Sequence, residues 1–582
     1  MATQRVVIDP LTRIEGHLRM EMTADKGKIT DAWCEVTQFR GIEMILKDRD
    51  PRDAWAFAQR ICGVCTAVHA VASVVAVENA LDYPPPEQAV LIRDLVLGTQ
   101  AVQDHVIHFY HLQALDWVNI PSAAKGDPSA ALAFAREIGS TWANNSVGRM
   151  TEVKATLEGV LASGQLSIFT NGYWDHPDYR LPAAANLMAV AHYLDALEFQ
   201  RTMIRIATVF GGKNPHPNFL VGGMACSINL DNESTINQVN LDQIASWLRD
   251  TVAFVRDCYY PDVVAIMGAY KDWFTIGAAP ANFMAVGMVG ATFAGDPAHV
   301  RARPSLSPIA PGVLLDGDLK TVHPYDPAKV EEFISSAWYS YEGGDAKGLH
   351  PGQGETSPHY TGPKLPWTWI GDEKKYTWSK APRYDGRVMQ VGPVARVLLA
   401  YAQGHQRTVE LVDDARKRIG ITLAQLNSTA GRILCRAIEA VTAAEAMIEH
   451  TYARFIDNIS HGNVDVFNPE KWEPSSWPAR SQGFSVLEVA RGNLSHWCTI
   501  EDQKISRYQC VVPTTWLSGG RDPQGQAGSY EYSLAHGGKH PLRLPDQPLE
   551  PLRTIHSFDP CMSCAVHVLD PEGGELFRVR TS

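Results

Sequence analysis

Apolar residues recur at helical spacing along most of this chain. Leu91, Ile92, Leu95, Val96, Val102, Val106, Phe109 and Leu112 keep one face apolar and predict a long helix over residues 87–117. Residues 51–83 predict one helix, or two broken near Gly63, with Asp50 as cap and Pro51 in the first turn. The same period predicts helices over 128–164, 182–210, 241–266, 388–419 and 423–456. Residues 5–45 alternate instead. A short strand over 5–9 precedes a hairpin whose arms, His17–Met22 and Ile29–Val36, turn at Lys26-Gly-Lys28. Phe484–Glu488 and Gln509–Val512 predict further strands, and residues 270–385, dense in Gly, Pro, Trp and Tyr, predict irregular structure with short strands. The pattern predicts a mainly α (α+β) protein: one large unit on a bundle of long helices, with β segments at its periphery.

Composition narrows the classes of partner. The 582 residues are long enough for several domains, yet no repeat or low-complexity linker marks a boundary. With 52 basic against 64 acidic residues the net charge is −12, and no basic tract occurs. Nucleic acid and anionic membrane surfaces are therefore poor partners. Residues 1–9 carry no apolar run of the kind a secretion signal needs, and the longest apolar run, near 70–77, is too short to span a bilayer. Fifteen tryptophans and only 20% charged residues leave room for an extensive apolar interface.

Ten cysteines are present, and six stand singly, which is not the layout of a disulfide framework. The other four form two C-x-x-C pairs, each with a histidine behind it: Arg60-Ile-Cys-Gly-Val-Cys-Thr-Ala-Val-His69 and Ser557-Phe-Asp-Pro-Cys-Met-Ser-Cys-Ala-Val-His567. A C-x-x-C places two sulfurs within reach of one soft metal ion or of each other. Four readings stand side by side: a shared transition-metal site of four thiolates, a zinc ribbon, a thioredoxin-like redox pair, and two unrelated buried pairs. A zinc ribbon spaces its pairs about 15–20 residues apart, far closer than these. On helical spacing Cys62, Cys65 and His69 share one face. His105 and His108 read as core residues with both nitrogens satisfied.

The surroundings of the two pairs are specific. Arg-Ile-Cys-Gly-Val-Cys-x-x-x-His and Asp-Pro-Cys-x-x-Cys-x-x-His resemble the paired signatures of nickel–iron hydrogenase large subunits. Asp9-Pro-Leu-Thr-Arg-Ile-Glu-Gly-His17, Phe39-Arg-Gly-Ile-Glu43, Asp104-His-Val-Ile-His-Phe-Tyr110 and Val511-Val-Pro-Thr-Thr-Trp516 extend the resemblance from about residue 6 to the C-terminus. It implies heterolytic cleavage and formation of H2 at a Ni-Fe centre with Fe(CO)(CN)2. Cys62 and Cys561 would be terminal nickel ligands, and Cys65 and Cys564 the bridges to iron. Arg491 would hang over the open site, held by Asp104 and Asp559. Thr514 would hydrogen-bond a cyanide of the iron, Ala490 would bind the cofactor beside Arg491, and Glu15 would take the proton from a terminal cysteine. Glu43, the carbonyl of Cys510 and His567 would hold Mg2+ (or Fe2+) near the C-terminus. His69 would orient the first cysteine motif.

The chain departs from the family pattern in places. Ala490 stands where proline usually precedes the arginine, Leu517 where asparagine is common, and Gly520 where proline is common. The resemblance further implies an iron–sulfur small subunit that receives the electrons, docked in part on residues 51–83 and 87–117. The pattern His108–Trp117 is similar to the respiratory uptake group. For that group the expectations are a membrane cytochrome or quinone-linked partner and export with the small subunit to the periplasmic side, a cytoplasmic location being the alternative. Residues 1–567 would form one domain, and a maturation endopeptidase would remove 568–582. The competing class is a hydrogenase-like scaffold without catalysis, or a structural zinc protein.

Overall fold

The computed structural model describes residues 4–166, 169–170, 172–289, 292–295, 307–364 and 366–565. About 47% of the chain is helical, and the described residues also form four small sheets, so helices dominate a mixed α and β architecture. The first sheet is antiparallel, β1 (Gln4–Ile8), β2 (Leu18–Asp25) and β3 (Lys28–Val36) in that order. Its hairpin turns at Lys26 and Gly27, both in the left-handed region, as the alternation of the sequence anticipates.

Seven helices frame the rest: α1 (Val68–Ala80), α2 (Glu87–Ile107), α3 (Ala183–Met203), α4 (Tyr260–Ala269), α5 (Pro393–Ala402), α6 (Thr429–Ala446) and α7 (Leu549–Ser557). α6 packs against α2, α4, α5 and α7, and α3 packs on the other flank of α2. α1 buries every residue but Asn79, its polar His69, Ser73 and Glu78 included. Almost all of α2 is likewise covered by this chain's own residues. In the segment 51–83 expected to help dock a partner, the exposure before α1 is at Asp53, Arg60 and Gly63, with Trp55, Phe57 and Val64 half-buried.

The predicted helices exist but are subdivided. Residues 87–117 are α2 followed by a π-helical segment, His108–Gln113, and a 3-10 turn, Ala114–Asp116. Residues 128–164 divide into Pro128–Glu137 and Val147–Ser163. The 241–266 region is Gln238–Phe254, a second π segment, Val255–Tyr259, and α4. α5 ends before Gly404, whose φ of 75° turns the chain into the helix Gln406–Ile419. Apolar spacing carries through such breaks because each π turn adds only a residue to the period.

The β structure is not all peripheral, which corrects the sequence reading. β4 (Arg480–Val489), β5 (Gly492–Glu501) and β6 (Lys504–Val511) form an antiparallel sheet with Thr292–Gly295 on the far side of β4. Every residue from Gly483 to Ile500 is buried, and α1 lies across β4 and β5. Gly483 permits that approach: a Cβ there would stand 2.3 Å from the Ala80 nitrogen. With both faces covered, the hairpin has no polar–apolar alternation to reveal it. No helix among the described residues is long and apolar enough to cross a membrane.

Candidate metal centre

The first cysteine pair sits where a helix stops, not on a helical face. Ala54–Ala58 and the turn Gln59–Ile61 end at Cys62, which is extended (φ −142°, ψ 136°), and helix resumes only at Val68. The loop curls so that the N–H groups of Val64 and Cys65 donate to Cys62 Sγ at 3.3 and 3.2 Å. Two backbone donors on one sulfur favour its thiolate form.

The second pair is docked by the N-terminal segment. Glu15 and Cys561 form an isolated parallel bridge, with Met562 N–H donating to the Glu15 carbonyl at 2.7 Å. Gly16, at φ 81°, must be glycine, since a Cβ would fall 2.7 Å from the Ser563 nitrogen. Cys561 Sγ lies 3.3 Å from Cys62 Sγ and 4.0 Å from Cys65 Sγ. Cys564 follows in the short helix Met562–Ala565. His567 and the tail 568–582 lie outside the described residues.

Around the sulfurs stand the acid–base groups. Glu15 Oε2 accepts from Cys561 Sγ at 3.4 Å and from Ser563 N–H at 2.9 Å. Burial, and after it the Cys62 thiolate, raises this carboxyl above its usual range. Arg491 Nη1 donates to Asp104 at 3.0 Å and Nη2 pairs with Asp559 at 3.1 Å. Burial opposes the charge on Arg491, but Asp559 and Asp104 outweigh it and hold the guanidinium well above its ordinary pKa, with Cys561 and Cys65 adding to their pull. Burial pushes Asp104 up to about 7 against the pull of Arg491, while Asp559, also buried, is held low chiefly by Arg491. Thr514 Oγ1 accepts the Cys561 N–H at 3.2 Å, and Ala490 is buried beside Arg491.

These residues fit a metal centre. Three buried sulfurs converge within 4.8 Å. The contacts of 3.3 and 4.0 Å exceed a disulfide bond of about 2.0 Å and bracket the roughly 3.8 Å between thiolates on a tetrahedral ion. Soft thiolate donors suit nickel and iron. Arg491 Nε is buried with no acceptor, a sign that the pocket is shaped for more than the protein.

The other expected residues divide. Glu43 and Cys510 do meet, with Glu43 Oε1 accepting the Cys510 amide N–H at 2.8 Å. His69 turns its Nδ1 to His496 Nε2 at 3.0 Å on β5, so it ties the first motif to the sheet. His108 bonds the His556 carbonyl with Nε2, yet its Nδ1 has no partner, which corrects its reading as a fully satisfied core residue. Sequence reasoning missed Arg396, Arg436 and Glu439. The signal was present in α6, where Arg432, Arg436 and Glu439 recur at i, i+4 and i+7 among Ala, Ile, Leu and Val, so that charges share one face of a buried helix.

A second group, His192, Cys258 and Asp262, is as compact and as buried. His192 Nδ1 meets Asp262 at 2.8 Å and Nε2 meets Asn145 Oδ1 at 2.8 Å, so both ring nitrogens donate. Burial opposes the charge, but Asp262 outweighs it and raises this imidazole well above its usual range. An imidazolium has no lone pair to offer a metal.

Comparison with known proteins agrees with the cysteine centre. Residues 40–567 match the family model described as nickel-dependent hydrogenase, and residues 5–39 one described as HoxL-like. The chain is 44% identical to the Hydrogenase-1 large chain of Citrobacter freundii, over 100% of this chain and 97% of that one. It is 45% identical to the uptake hydrogenase large subunit of Rhizobium leguminosarum bv. viciae, over 99% of this chain and 97% of that one. The solved structure of the Ni-Fe-Se hydrogenase from D. vulgaris Hildenborough, as-isolated and oxidized, superposes with a TM-score of 0.73 at 29% identity, covering 97% of this chain and 100% of that one. The convergent thiols, the clamped arginine and these matches place the chain in the nickel-dependent hydrogenase family, as a large, catalytic subunit.

Proposed function

We propose that the reaction, H2 ⇌ 2H+ + 2e−, runs at a nickel–iron pair with carbon monoxide and cyanide on the iron, which Cys62, Cys65, Cys561 and Cys564 would hold. The observation that carries this reading is the meeting of Cys62, Cys65 and Cys561 beneath Arg491, with Glu15 on Cys561. When bound, the metal pair supplies the electron-accepting site at which H2 is split heterolytically. Glu15, its affinity for protons raised by burial, takes the proton from Cys561 Sγ and passes it on. Arg491 stays charged between Asp104 and Asp559 and presents a fixed positive edge to the open site. Thr514 would hydrogen-bond a cyanide of the bound group, and Ala490 would line its site. Glu43, the Cys510 carbonyl and His567 would hold Mg2+ or Fe2+ near the C-terminus.

Electrons leave through an iron–sulfur small subunit, because the six remaining cysteines are single and form no second cluster set. That partner links the enzyme to a membrane cytochrome or quinone carrier on the periplasmic side, to which both subunits are exported together. Residues 1–567 act as one domain organised on the long-helix bundle, and an endopeptidase removes 568–582 once nickel is in place. Elemental analysis of the purified complex tests the centre: nickel with iron and H2-dependent dye reduction support it, and zinc without nickel supports the scaffold. Intact mass tests the tail, since an active, nickel-loaded chain ending at Ser582 contradicts its removal.

A further inference from the structure

Arg491 is delivered by an unusual turn. Val489 pairs with Gly492, so Ala490 and Arg491 form a two-residue loop between β4 and β5. Such loops favour Asn-Gly or Gly-x sequences, and neither Ala nor Arg supplies that preference. The tip must be held from outside. It rests on Gly392, where a Cβ would lie 2.7 Å from the Arg491 carbonyl oxygen, and Gly392 opens α5.

One turn into α5, Arg396 reaches back over the loop. Its Nη1 donates to the Val489 carbonyl at 2.8 Å and its Nη2 to the Ala490 carbonyl at 3.0 Å. The same guanidinium pairs with Glu439 through Nε (2.5 Å) and Nη2 (2.7 Å), and with Glu488 through Nη1 (2.7 Å). Glu439 accepts from His105 Nε2 at 2.7 Å, and His105 Nδ1 accepts from Arg436 Nη1 at 3.3 Å. Arg436 Nη1 also reaches Asp559 at 3.4 Å, and Asp559 holds the Arg491 guanidinium. The chain of contacts thus runs from the backbone before Arg491, through α5, α6 and α2, to the side chain of Arg491 itself.

We propose that Arg396 is a positioning residue for Arg491, clamping the loop that carries it and closing, with Glu439, His105, Arg436 and Asp559, a buried ring that fixes both ends of that arginine. Planar arginine is required, because five acceptor atoms on four residues must be met at once from one rigid fork. The proposal rests on the role of Arg491 given above.

The test is a double-mutant cycle in the whole enzyme with its small subunit. Arg396→Lys keeps the charge but loses the fork. It is expected to keep nickel and the KM for H2 while kcat falls about 10- to 100-fold, as misplacement of a site group does. Amide hydrogen exchange in a peptide spanning 486–494 is expected to speed up in parallel, a readout independent of turnover. On an Arg491→Lys background the same change is expected to cost less than about twofold, since residues acting as one unit are not additive. Multiplying losses, wild-type turnover or unchanged exchange each overturn the clamp. Should Arg396→Lys fail to load nickel, Glu439→Gln is carried through the same cycle: a loss that vanishes on the Arg491→Lys background supports the ring, and a multiplying loss or none overturns it. If Arg491→Lys alone turns over at the wild-type rate, the role of Arg491 falls. If only the Arg396 variant is unimpaired, the clamp alone falls.

Discussion

The centre at Cys62, Cys65 and Cys561 and the cluster of His192, Cys258 and Asp262 each gather three ligand-capable side chains within 4.8 Å, all buried. In the second cluster the hydrogen bonding closes on itself. Tyr110 donates to Asp262 at 2.7 Å, and both nitrogens of His192 are spent on Asp262 and Asn145. In the first, sulfur faces sulfur, a carboxyl with a raised pKa touches Cys561, and a buried Arg491 N–H points at nothing. A donor set therefore does not define a metal site. What separates the two is whether protein alone satisfies the polar atoms.

The largest expected contrast is between the cysteines. Cys62→Ser is expected to abolish turnover with loss of nickel, because serine is a poor soft-metal ligand. Cys258→Ser is expected to keep full nickel and turnover within about twofold, as a change away from a functional site does. Nickel content and H2 uptake of the two variants decide it, and equal nickel loss in both would break the comparison.

Next is Arg491→Lys, where metal is retained but a single ammonium replaces the fork between Asp104 and Asp559. Turnover is expected to fall about 10²–10⁴-fold, the usual cost of losing a positioned group. Wild-type turnover would leave the clamped guanidinium without a catalytic meaning.

The two regions also differ in how far the sequence discloses them. C-x-x-C motifs and the Ile14-Glu15-Gly16 segment are local and carry the family resemblance, and through it the cysteine centre is legible, even though the helical placement of Cys62 is wrong. A thiol loop is set by two amide donors to sulfur, which no apolar period reports. The His192 cluster joins α3 to α4 through residues 70 positions apart and has no local pattern. The β4–β5 hairpin was half hidden for a related reason. Asn493, Ser495, His496 and Thr499 are polar yet buried, paired to neighbours that only the fold brings near.

Glu15→Gln comes third. Glutamine preserves the shape that meets Ser563 N–H but cannot cycle a proton. H2/D+ exchange and H2 oxidation are expected to fall together, with nickel and fold intact. Exchange at the wild-type rate in a metal-loaded variant would refute the relay and leave Glu15 as a structural clasp for the C-terminal motif.

The smallest effect on catalysis, though not on stability, is expected from His192→Gln. Removing one partner of a buried ion pair leaves Asp262 uncompensated, and about 3 kcal/mol of stability should be lost with turnover near normal. The loss should depend on pH in a fixed sense. The imidazole's pKa is raised in the folded chain by Asp262, so its contribution is complete below the unfolded value near 6.5. It fades as pH climbs from there through the folded value. The gap between wild type and His192→Gln should thus be widest near pH 6 and narrow upward, read from denaturant midpoints at a series of pH values. A gap that widened with pH would mean that His192 is neutral in the folded chain. A ring-nitrogen lone pair would then be available to a metal, and the distinction between the two clusters would fail at its root.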